Sequence, residues 1–493
     1  MLWSKVDNTE PANPITFTSA KTPLSPPVST TLPQIVKNVA PEFYVGSSFF
    51  VNPLLASGHL QTAYTALRQF DDIDLVHYGR RLIEVDPENR GYKVEGERIL
   101  YDKYGGKSTF TIDIVRDVTA NVNPESSSLT VASVLGSDDA ESDYKTAAKN
   151  SERHYAAPTS QDTTKLPPRT FFITEQEEKE LLSDSSKPLL IALHGLSGGS
   201  YESYVRSILS EITDSKYGFD ALVLNSRGCA GHTPTTPQLF NALWTNDVRY
   251  LVNEIIAKKY PEKKIFLIGF SLGGAIVGNF LAQEGDNIYK NIMGASIVGA
   301  PWDFMDSNVQ LDNSILGNKV YSPAMSQNLQ KLLHAHKESI GSEPNINQYY
   351  KNPDGYNLEK LHDFDEAFTS KFFGFNNHRE YYRHSSPIQR LRKIRVPTLI
   401  VSAIDDPVIG NKTLPYYEVR DNPYTFLVTS TIGGHLGWFK FGGERWYPKP
   451  ISKIFHDIFN NWKVNKPQPD TLPVALESKI WKYDRLIVGQ DKP

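Results

Sequence analysis

The sequence predicts an α/β fold with a mostly parallel central sheet, helices on both faces of that sheet and a helical cap inserted into the chain. Three observations lead to this prediction. Short continuous apolar runs, which are typical of parallel strands covered on both faces, recur from residue 188 onward. The stretches between them carry apolar residues every three or four positions, which indicates helices. One long interval, residues 301–394, has aromatic residues in irregular helical spacing and no strong strand signal.

The apolar runs mark the strands of the predicted sheet. They lie at residues 189–193, 221–224, 264–268, 292–298, 398–401 and 425–428. A helix is predicted between the second and third runs from the spacing of Trp244, Val248, Leu251, Val252, Ile255 and Ile256. Strands that alternate with helices indicate a parallel sheet. Because residues 301–394 follow the carboxyl end of a strand, where open α/β sheets bind ligands, we expect this cap to lie over the active face.

The chain before residue 188 is less regular. Residues 1–42 are rich in Pro, Ser and Thr without a sustained period, so we expect a disordered tail there. Residues 78–83 and 93–101 are typical of two antiparallel strands, and residues 170–173 of a further strand. Residues 136–165 are almost purely polar, which predicts a surface insertion. The core is therefore expected in two parts, residues 43–300 and 395–493, with the C-terminal segment in the second part and the cap at 301–394 between them.

Composition narrows the class of protein. A chain of 493 residues holds about three average domains or one enlarged α/β domain. The formal net charge of −4 and the pI near 6.3 give no reason to expect a nucleic-acid partner. The one cysteine, Cys229, rules out an intramolecular disulfide, so a reducing, intracellular and cytoplasmic environment is favoured.

Membrane insertion is not expected. No window holds the ~18 consecutive apolar residues of a spanning helix, and the first residues lack a basic start followed by an apolar core. The chain is therefore predicted to be neither secreted nor integral. Its 24 Phe, 25 Tyr and 7 Trp leave room for an exposed apolar patch, so peripheral contact with membranes or lipid droplets stays open.

The strongest chemical signal is Gly269-Phe270-Ser271-Leu272-Gly273, which directly follows an apolar run and precedes small and apolar residues. Such an order fits a strand, a sharp turn and a helix. Glycine lacks a Cβ atom, so the turn can hold Ser271 between packed elements at an unusual backbone angle. Ser271 is therefore the predicted nucleophile. The alternative is a glycine-rich turn after a buried strand.

A serine hydroxyl becomes a strong nucleophile only when a base takes its proton and a carboxylate holds that base. His435 lies in a glycine-rich loop, residues 433–437, just past the last apolar run, and is the predicted base. Asp405 and Asp406 both follow the strand that ends at Ser402. Asp406 is preferred because, in serine enzymes with this chain order, the acid commonly stands directly before a residue such as proline followed by an apolar one, as Pro407 and Val408 are here. Asp405 is interpreted as a loop-capping residue.

Two backbone N–H groups are predicted to stabilise a negative oxygen during the reaction. The glycine-rich loop His194-Gly195-Leu196-Ser197-Gly198-Gly199 directly follows the first core strand, where an N–H can face the serine. Leu196 is the preferred donor there, and the N–H of Leu272 is the second. His194 is interpreted as structural, Arg227 as a buried residue that ties loops together, and Cys229 as a small buried apolar residue.

No metal or cofactor is predicted. No His, Cys and Asp cluster has metal-ligand spacing, and His334 with His336 is interpreted as part of a solvated helix face. The loop from Gly195 to Ser200 lacks the Gly-Lys-Ser/Thr ending of a phosphate-binding loop, so the sequence does not support nucleotide binding.

Five segments together resemble the α/β-hydrolase-domain family that includes the fungal medium-chain fatty-acid ethyl ester synthase/esterases and the related monoacylglycerol lipase. They are residues 193–200, 224–229, 269–273, 402–408 and 433–437. The resemblance extends to Gly58-His59-Leu60-Gln61-Thr62 and Tyr78-Gly79-Arg80, and it covers roughly residues 43–462. The order of Ser271, Asp406 and His435 along the chain is the order of this family.

The resemblance implies an α/β-hydrolase fold, a triad of Ser271, Asp406 and His435, and acyl esters of short to medium chain as substrates. Ser271 would attack the ester carbonyl with His435 as base, and the acyl-enzyme would be released by water or by an alcohol. The implied partners are thus an acyl ester and water or an alcohol. Two alternatives remain: a catalytically silent hydrolase-fold module that binds lipid, and a peptidase or thioesterase.

Overall fold

The computed structural model describes residues 2–20, 28–68, 70–85, 97, 99–100, 104, 107–116 and 166–465, and the backbone of 479–482 and 485–488. The insertion predicted at residues 136–165 lies outside the described residues. Most of the strand predicted at residues 93–101 lies outside them as well.

The strands of the described residues fall into one large and two small sheets. Their bounds are β1 (Trp3–Thr9), β2 (Thr16–Ser19), β3 (Ser29–Thr31), β4 (Ser48–Phe50), β5 (His77–Val85), β6 (Ser108–Arg116), β7 (Thr170–Phe172), β8 (Leu189–Leu193), β9 (Asp220–Asn225), β10 (Ile265–Phe270), β11 (Ile292–Val298), β12 (Thr398–Ala403), β13 (Thr425–Ser430), β14 (Trp462–Val464), β15 (Lys479–Lys482) and β16 (Arg485–Val488). Eleven of them form the large sheet in the order β4-β1-β13-β12-β11-β10-β8-β9-β6-β5-β7.

The middle of the large sheet is parallel. All five strand pairs from β9 through β8, β10, β11 and β12 to β13 run in the same direction. Every residue of β8, β10, β12 and β13 is buried, which is why these strands read as unbroken apolar runs. The predicted fold class, a mostly parallel sheet, is confirmed. Strand β5 pairs antiparallel with β6, a strand that the sequence did not indicate.

Helices cover both faces of the sheet. Their bounds are α1 (Leu32–Val39), α2 (Gly58–Leu67), α3 (Glu175–Leu182), α4 (Ser203–Ile212), α5 (Asn246–Tyr250), α6 (Ala257–Lys259), α7 (Leu272–Glu284), α8 (Phe304–Asn313), α9 (Ser322–Ala335), α10 (Lys337–Ile340), α11 (Pro344–Lys351), α12 (Leu361–Phe364), α13 (Ser370–Phe372), α14 (His378–Ser385), α15 (Tyr416–Asp421) and α16 (Pro448–Asn461). A π-helical segment, Leu251–Ile256, joins α5 to α6. None of the described helices has both the length and the hydropathy needed to cross a bilayer.

Alternate side chains of each core strand enter two separate hydrophobic clusters. Leu189, Ile191 and Leu193 of β8 join the cluster that contains α7, whereas Leu190 and Ala192 join the one that contains α4 and α16. This alternation follows from the two-residue period of a strand. The sheet is therefore the middle of three layers, and the residues at the carboxyl ends of its strands are held from both sides.

The interval between β11 and β12 is helical. Every residue from 301 to 394 is described, and its regular elements are α-helices, 3₁₀ helices and π-helical segments. These helices have a hydrophobic cluster of their own, with Leu333, Ile346, Phe364, Phe368 and Phe372 at its centre. The segment is called the cap below.

The prediction of a disordered tail is wrong for residues 2–20 and 28–42. Strand β1 pairs antiparallel with β13, from Val6 opposite Ser430 to Thr9 opposite Leu427. Helix α1 begins with a capping box made by Thr31 and Gln34 and packs on α16. The sequence did not reveal this order, because β13 and α16 lie more than 400 residues away from β1 and α1 in the chain.

Candidate active site

Ser271 occupies a sharp turn between β10 and α7. Its backbone has φ 51° and ψ −120°, a conformation that costs a non-glycine residue about 1–3 kcal/mol. A Cβ atom at Gly269 would collide with the carbonyl oxygen of Gly273, and one at Gly273 would collide with that of His194. The two glycines therefore let strand, turn and helix approach closely enough to present the Ser271 hydroxyl at the carboxyl end of the sheet.

The three residues predicted as a triad lie in contact. The Oγ atom of Ser271 is 2.9 Å from Nε2 of His435, and Nδ1 of His435 is 2.8 Å from Oδ2 of the buried Asp406. A carboxylate can only accept, so Nδ1 carries the imidazole proton and donates it to Asp406. Nε2 is then free to accept the hydroxyl proton of Ser271.

The structure separates the two candidate aspartates. Oδ1 of Asp406 accepts hydrogen bonds from the N–H groups of Val408 and Ile409, at 2.8 and 3.1 Å, which leaves Oδ2 for His435. Oδ1 of Asp405 instead accepts from the N–H groups of Gly433 and Gly434, each at 2.9 Å. Asp406 thus reaches the imidazole ring, while Asp405 binds the backbone of the loop that carries the ring.

Leu196 and Leu272, whose N–H groups are the predicted oxyanion donors, line the same cavity as Ser271. The loop after β8 approaches Ser271 so closely that a Cβ atom on Gly195 would lie 3.3 Å from the serine Cβ. The N–H of Gly195 donates to the hydroxyl of Tyr204 at 3.0 Å and is thereby engaged, so Leu196 stays the predicted donor of this loop. The N–H of Leu272 is the first of α7, at the positive end of the helix dipole.

Ser271, Asp406 and His435 all lie in a segment of the chain that matches a known family model. The model described as the alpha/beta hydrolase fold matches residues 188–437, from the first core strand to the loop of His435. The chain belongs to the α/β hydrolase family. Two relatives come from Saccharomyces cerevisiae. A monoacylglycerol lipase is 34% identical over 479 residues, covering 94% of this chain and 95% of the relative. A medium-chain fatty acid ethyl ester synthase/esterase is 28% identical over 441 residues, covering 86% and 88%.

In this α/β hydrolase His194 ties the loop after β8 to the loop after β9. Nε2 of the buried His194 accepts from the N–H of Ser226 at 3.1 Å, and Nδ1 donates to the carbonyl of Gly195 at 2.7 Å. Burial lowers the pKa of His194 to about 4, so the ring is neutral with its proton on Nδ1. His194 contacts the loop backbone and not Ser271, in keeping with a structural role.

A buried ion pair beneath the same loop escaped the sequence analysis. Arg80 of β5 lies opposite Asp113 of β6 and binds it through Nε and Nη2, at 2.6 and 2.7 Å. Asp113 also accepts from Ser200 Oγ at 2.6 Å and from Asn225 Nδ2 at 2.8 Å. The pair thereby joins the loop after β8 to the carboxyl end of β9. The Tyr78-Gly79-Arg80 segment was the one sequence signal that pointed toward this ion pair. Asp113, the partner of Arg80, belongs to a strand that the sequence did not indicate.

Of the other residues singled out by the sequence, Arg227 and Cys229 agree with their interpretations and His336 does not. Arg227 forms a buried ion pair with Asp247 at 2.8 Å, and Cys229 is buried with its thiol pKa raised by burial. His336 does not share a solvated face with His334: it is 8% exposed, and its Nε2 is 2.7 Å from the carbonyl oxygen of Gly228. Within the described residues no group of three or more His, Cys, Asp or Glu side chains is arranged to hold a metal.

Ser271 opens into a largely apolar cavity between the core and the cap. The cavity encloses about 1050 Å³, its open mouth included. Among its lining residues are Leu196, Leu239, Phe240, Leu272, Phe304, Leu311, Met325, Leu329, Leu333, Ile346, Phe364, Phe368, Phe372, Phe373 and Val408. Asp365 and Tyr382 add a polar spot, where the Tyr382 hydroxyl donates to Asp365 at 2.7 Å and burial raises the pKa of Asp365 to about 6.

Proposed function

We propose that the protein is a serine esterase or lipase that cleaves acyl esters of short to medium chain through an acyl-enzyme. The observation that carries the proposal is the unbroken hydrogen-bonded line from Asp406 through His435 to Ser271, at the wall of an apolar cavity. The named relatives, a monoacylglycerol lipase and an ethyl ester synthase/esterase, support acyl esters as the substrate class.

The first half of the reaction forms the acyl-enzyme. Nε2 of His435 takes the hydroxyl proton of Ser271 while Oγ bonds to the carbonyl carbon of the ester, and Asp406 stabilises the imidazolium. The N–H groups of Leu196 and Leu272 donate to the carbonyl oxygen as it becomes negative. The imidazolium then gives its proton to the departing alkoxide, which leaves an ester between the acyl group and Ser271.

The second half releases the acyl group. His435 takes a proton from an incoming water or alcohol, whose oxygen bonds to the acyl carbon, and returns that proton to Ser271 as the bond to Oγ breaks. Water gives a free acid, whereas ethanol gives an ethyl ester, so one acyl-enzyme serves a hydrolase and an alcohol O-acyltransferase. The partners are then an acyl ester and either water or an alcohol, without a metal or organic cofactor.

The outer surface of the cap fits contact with a lipid surface. Val309, Ile315, Leu316 and Val320 are exposed apolar residues, and Ile315 is 83% exposed. They belong to the same short stretch of cap as Leu311, which lines the cavity. We place the enzyme in the cytoplasm, with this surface peripheral on lipid droplets or organelle membranes. Flotation with phosphatidylcholine liposomes should recover the protein, and less of an Ile315→Ser variant; equal absence of both from the floated fraction rejects the contact.

The test of the function uses p-nitrophenyl octanoate, the Ser271→Ala variant and a control. Ser271→Ala should lower kcat/KM on the order of 10³-fold or more, because without the nucleophile only the oxyanion donors and binding remain. Ser185→Ala, at an exposed serine, should match the wild type. An equal rate in all three proteins, or acyl binding without turnover by the intact chain, would overturn the proposal. Added ethanol should divert octanoate to ethyl octanoate, which separates alcoholysis from hydrolysis.

A further inference from the structure

Helix α2 begins with Gly58-His59-Leu60-Gln61-Thr62, a segment to which the mechanism above gives no task. Its first turn touches both loops that complete the site. A Cβ atom at Gly58 would collide with the carbonyl oxygen of Asp405, and one at Gly434 would collide with the carbonyl oxygen of Gly58. The backbone of α2 is therefore in direct contact with the loop after β12 that carries Asp405 and Asp406, the acid loop, and with the loop of residues 431–439, the histidine loop. Glycines stand at two of these approaches.

Thr62 links this helix to the catalytic histidine. The N–H of His435 donates to Oγ1 of Thr62 at 2.8 Å, and the same hydroxyl donates to the carbonyl of Gly58 at 2.7 Å. Thr62 is 7% exposed, so water competes poorly for these bonds. The hydroxyl is used in both directions, which fixes its orientation.

A second side chain of α2 holds the far side of the histidine loop. Oε1 of Gln61 accepts from the N–H of Phe439 at 2.8 Å, and its Nε2 donates to the carbonyl of Leu55 at 2.8 Å. Gln61 is buried, so both bonds lie away from solvent. The loop is thus attached to α2 at residue 435 and again at residue 439.

The histidine loop needs such outside support. Leu436 and Trp438 have positive φ angles, 60° and 51°, and backbone of this kind persists only when its surroundings over-determine it. The N–H groups of Gly433, Gly434 and His435 all donate to side chains rather than to a helix or strand: the first two to Asp405, the third to Thr62.

We propose that Thr62 is a positioning residue for His435, held for that task on α2. Its hydroxyl fixes the backbone from which the imidazole reaches Ser271 and Asp406 at once, at 2.9 and 2.8 Å. Thr62 does not touch the reacting atoms, and it is not among the residues that line the cavity. The inference rests on the proposed function, because it assigns His435 the part of the base.

Thr62→Val removes the hydroxyl and keeps the shape of the side chain. The N–H of His435 then loses its acceptor, and a displacement of a catalytic group by about 1 Å can cost on the order of 10²-fold in rate. We expect kcat to fall about 10- to 100-fold while KM stays within about twofold. Thr62→Ser keeps the hydroxyl and should restore most of the rate. Thr213→Val, at a threonine bonded to its own helix at the end of α4, is the matched control and should behave as the wild type.

The decisive readout is a double-mutant cycle with His435→Ala on p-nitrophenyl octanoate. If Thr62 acts through His435, adding Thr62→Val to His435→Ala should leave the residual rate unchanged. An equal fall of kcat in both backgrounds, or wild-type kcat in Thr62→Val, overturns the inference. Thr62→Ala takes the place of valine if thermal unfolding shows that the valine variant does not fold. A wild type without any turnover would instead reject the proposed function, before the variants are compared.

Discussion

Removing the guanidinium of Arg80 should destabilise this fold more than the loss of any surface ion pair. Arg80 is 1% exposed, binds Asp113 through two nitrogens and donates through Nη1 to the carbonyl of Ala230 at 2.7 Å. Arg80→Met fills most of the same volume but leaves the carboxylate of Asp113 buried with only Ser200 and Asn225 as donors. Breaking a buried pair in this way costs about 3–5 kcal/mol, against a total stability of about 5–15 kcal/mol.

The loss of unfolding free energy in Arg80→Met should also depend on pH, and it should be larger at pH 8 than at pH 5. Burial raises the pKa of Asp113, but the Arg80 charge and the hydrogen bonds from Arg80, Ser200 and Asn225 outweigh burial and hold it below its ordinary value. In the wild type this stabilisation is therefore present above the ordinary pKa, about 4, and is lost as pH falls through the lowered one. In Arg80→Met burial dominates, and it can raise a carboxyl pKa by up to ~3–5 units. The variant should thus recover part of its deficit when pH is lowered from 8 to 5, because a protonated Asp113 needs no counter-charge.

The measurement is the free energy of unfolding from urea titrations at pH 8 and pH 5, on wild type, Arg80→Met and a surface control. Arg392→Met removes the partner of Asp421 from an exposed pair, and such pairs contribute about 0–1 kcal/mol. We expect a deficit of about 3–5 kcal/mol for Arg80→Met at pH 8 and a smaller one at pH 5. A deficit below 1 kcal/mol, or one that is equal at the two pH values, would refute the reasoning.

Three further substitutions test the site itself. Asp406→Asn should lower kcat by about 10⁴-fold, because the ring of His435 loses the carboxylate that fixes its tautomer. Asp405→Asn keeps an acceptor for the loop N–H groups and should lower kcat far less. Equal losses of kcat in steady-state hydrolysis would contradict this assignment. Gly273→Ala places a Cβ atom against the carbonyl oxygens of His194 and Leu193, so hydrolysis should fall below detection even where circular dichroism reports folded protein; an active alanine variant would show that the turn at Ser271 can relax.

Local signals in the sequence placed most of the parallel core. The run at residues 292–298 became a strand with the same ends, because an unbroken apolar stretch is what a doubly covered strand requires. The preference for Asp406 over Asp405 came from the Asp-Pro-Val pattern that is common in hydrolases, and the structure brings Asp406 to the ring. Of the twelve histidines, His435 was singled out by its glycine-rich loop just past the last apolar run, and it follows Ser271 and Asp406 in the chain.

The remaining features depend on partners distant in the chain, which no local pattern reveals. Thr62 and His435 are 373 positions apart, and Thr62 gives no hint by itself that its hydroxyl meets a loop N–H. Strand β1 was hidden for the same reason, since its order comes from pairing with β13 and not from its own composition. His336 was wrongly expected to be exposed to solvent, because its sequence neighbourhood gives no sign that its ring binds the carbonyl oxygen of Gly228.

Covalent labelling with a fluorophosphonate, followed by peptide mass spectrometry, tests the central claim most directly. The reagent bonds only to a serine whose proton is removed as it attacks, so it reports the joint action of Ser271, His435 and Asp406. The expected result is one adduct on the peptide that carries Ser271, absent from Ser271→Ala and formed much more slowly in His435→Ala. An adduct on another serine, or none on folded wild-type protein, would contradict the account.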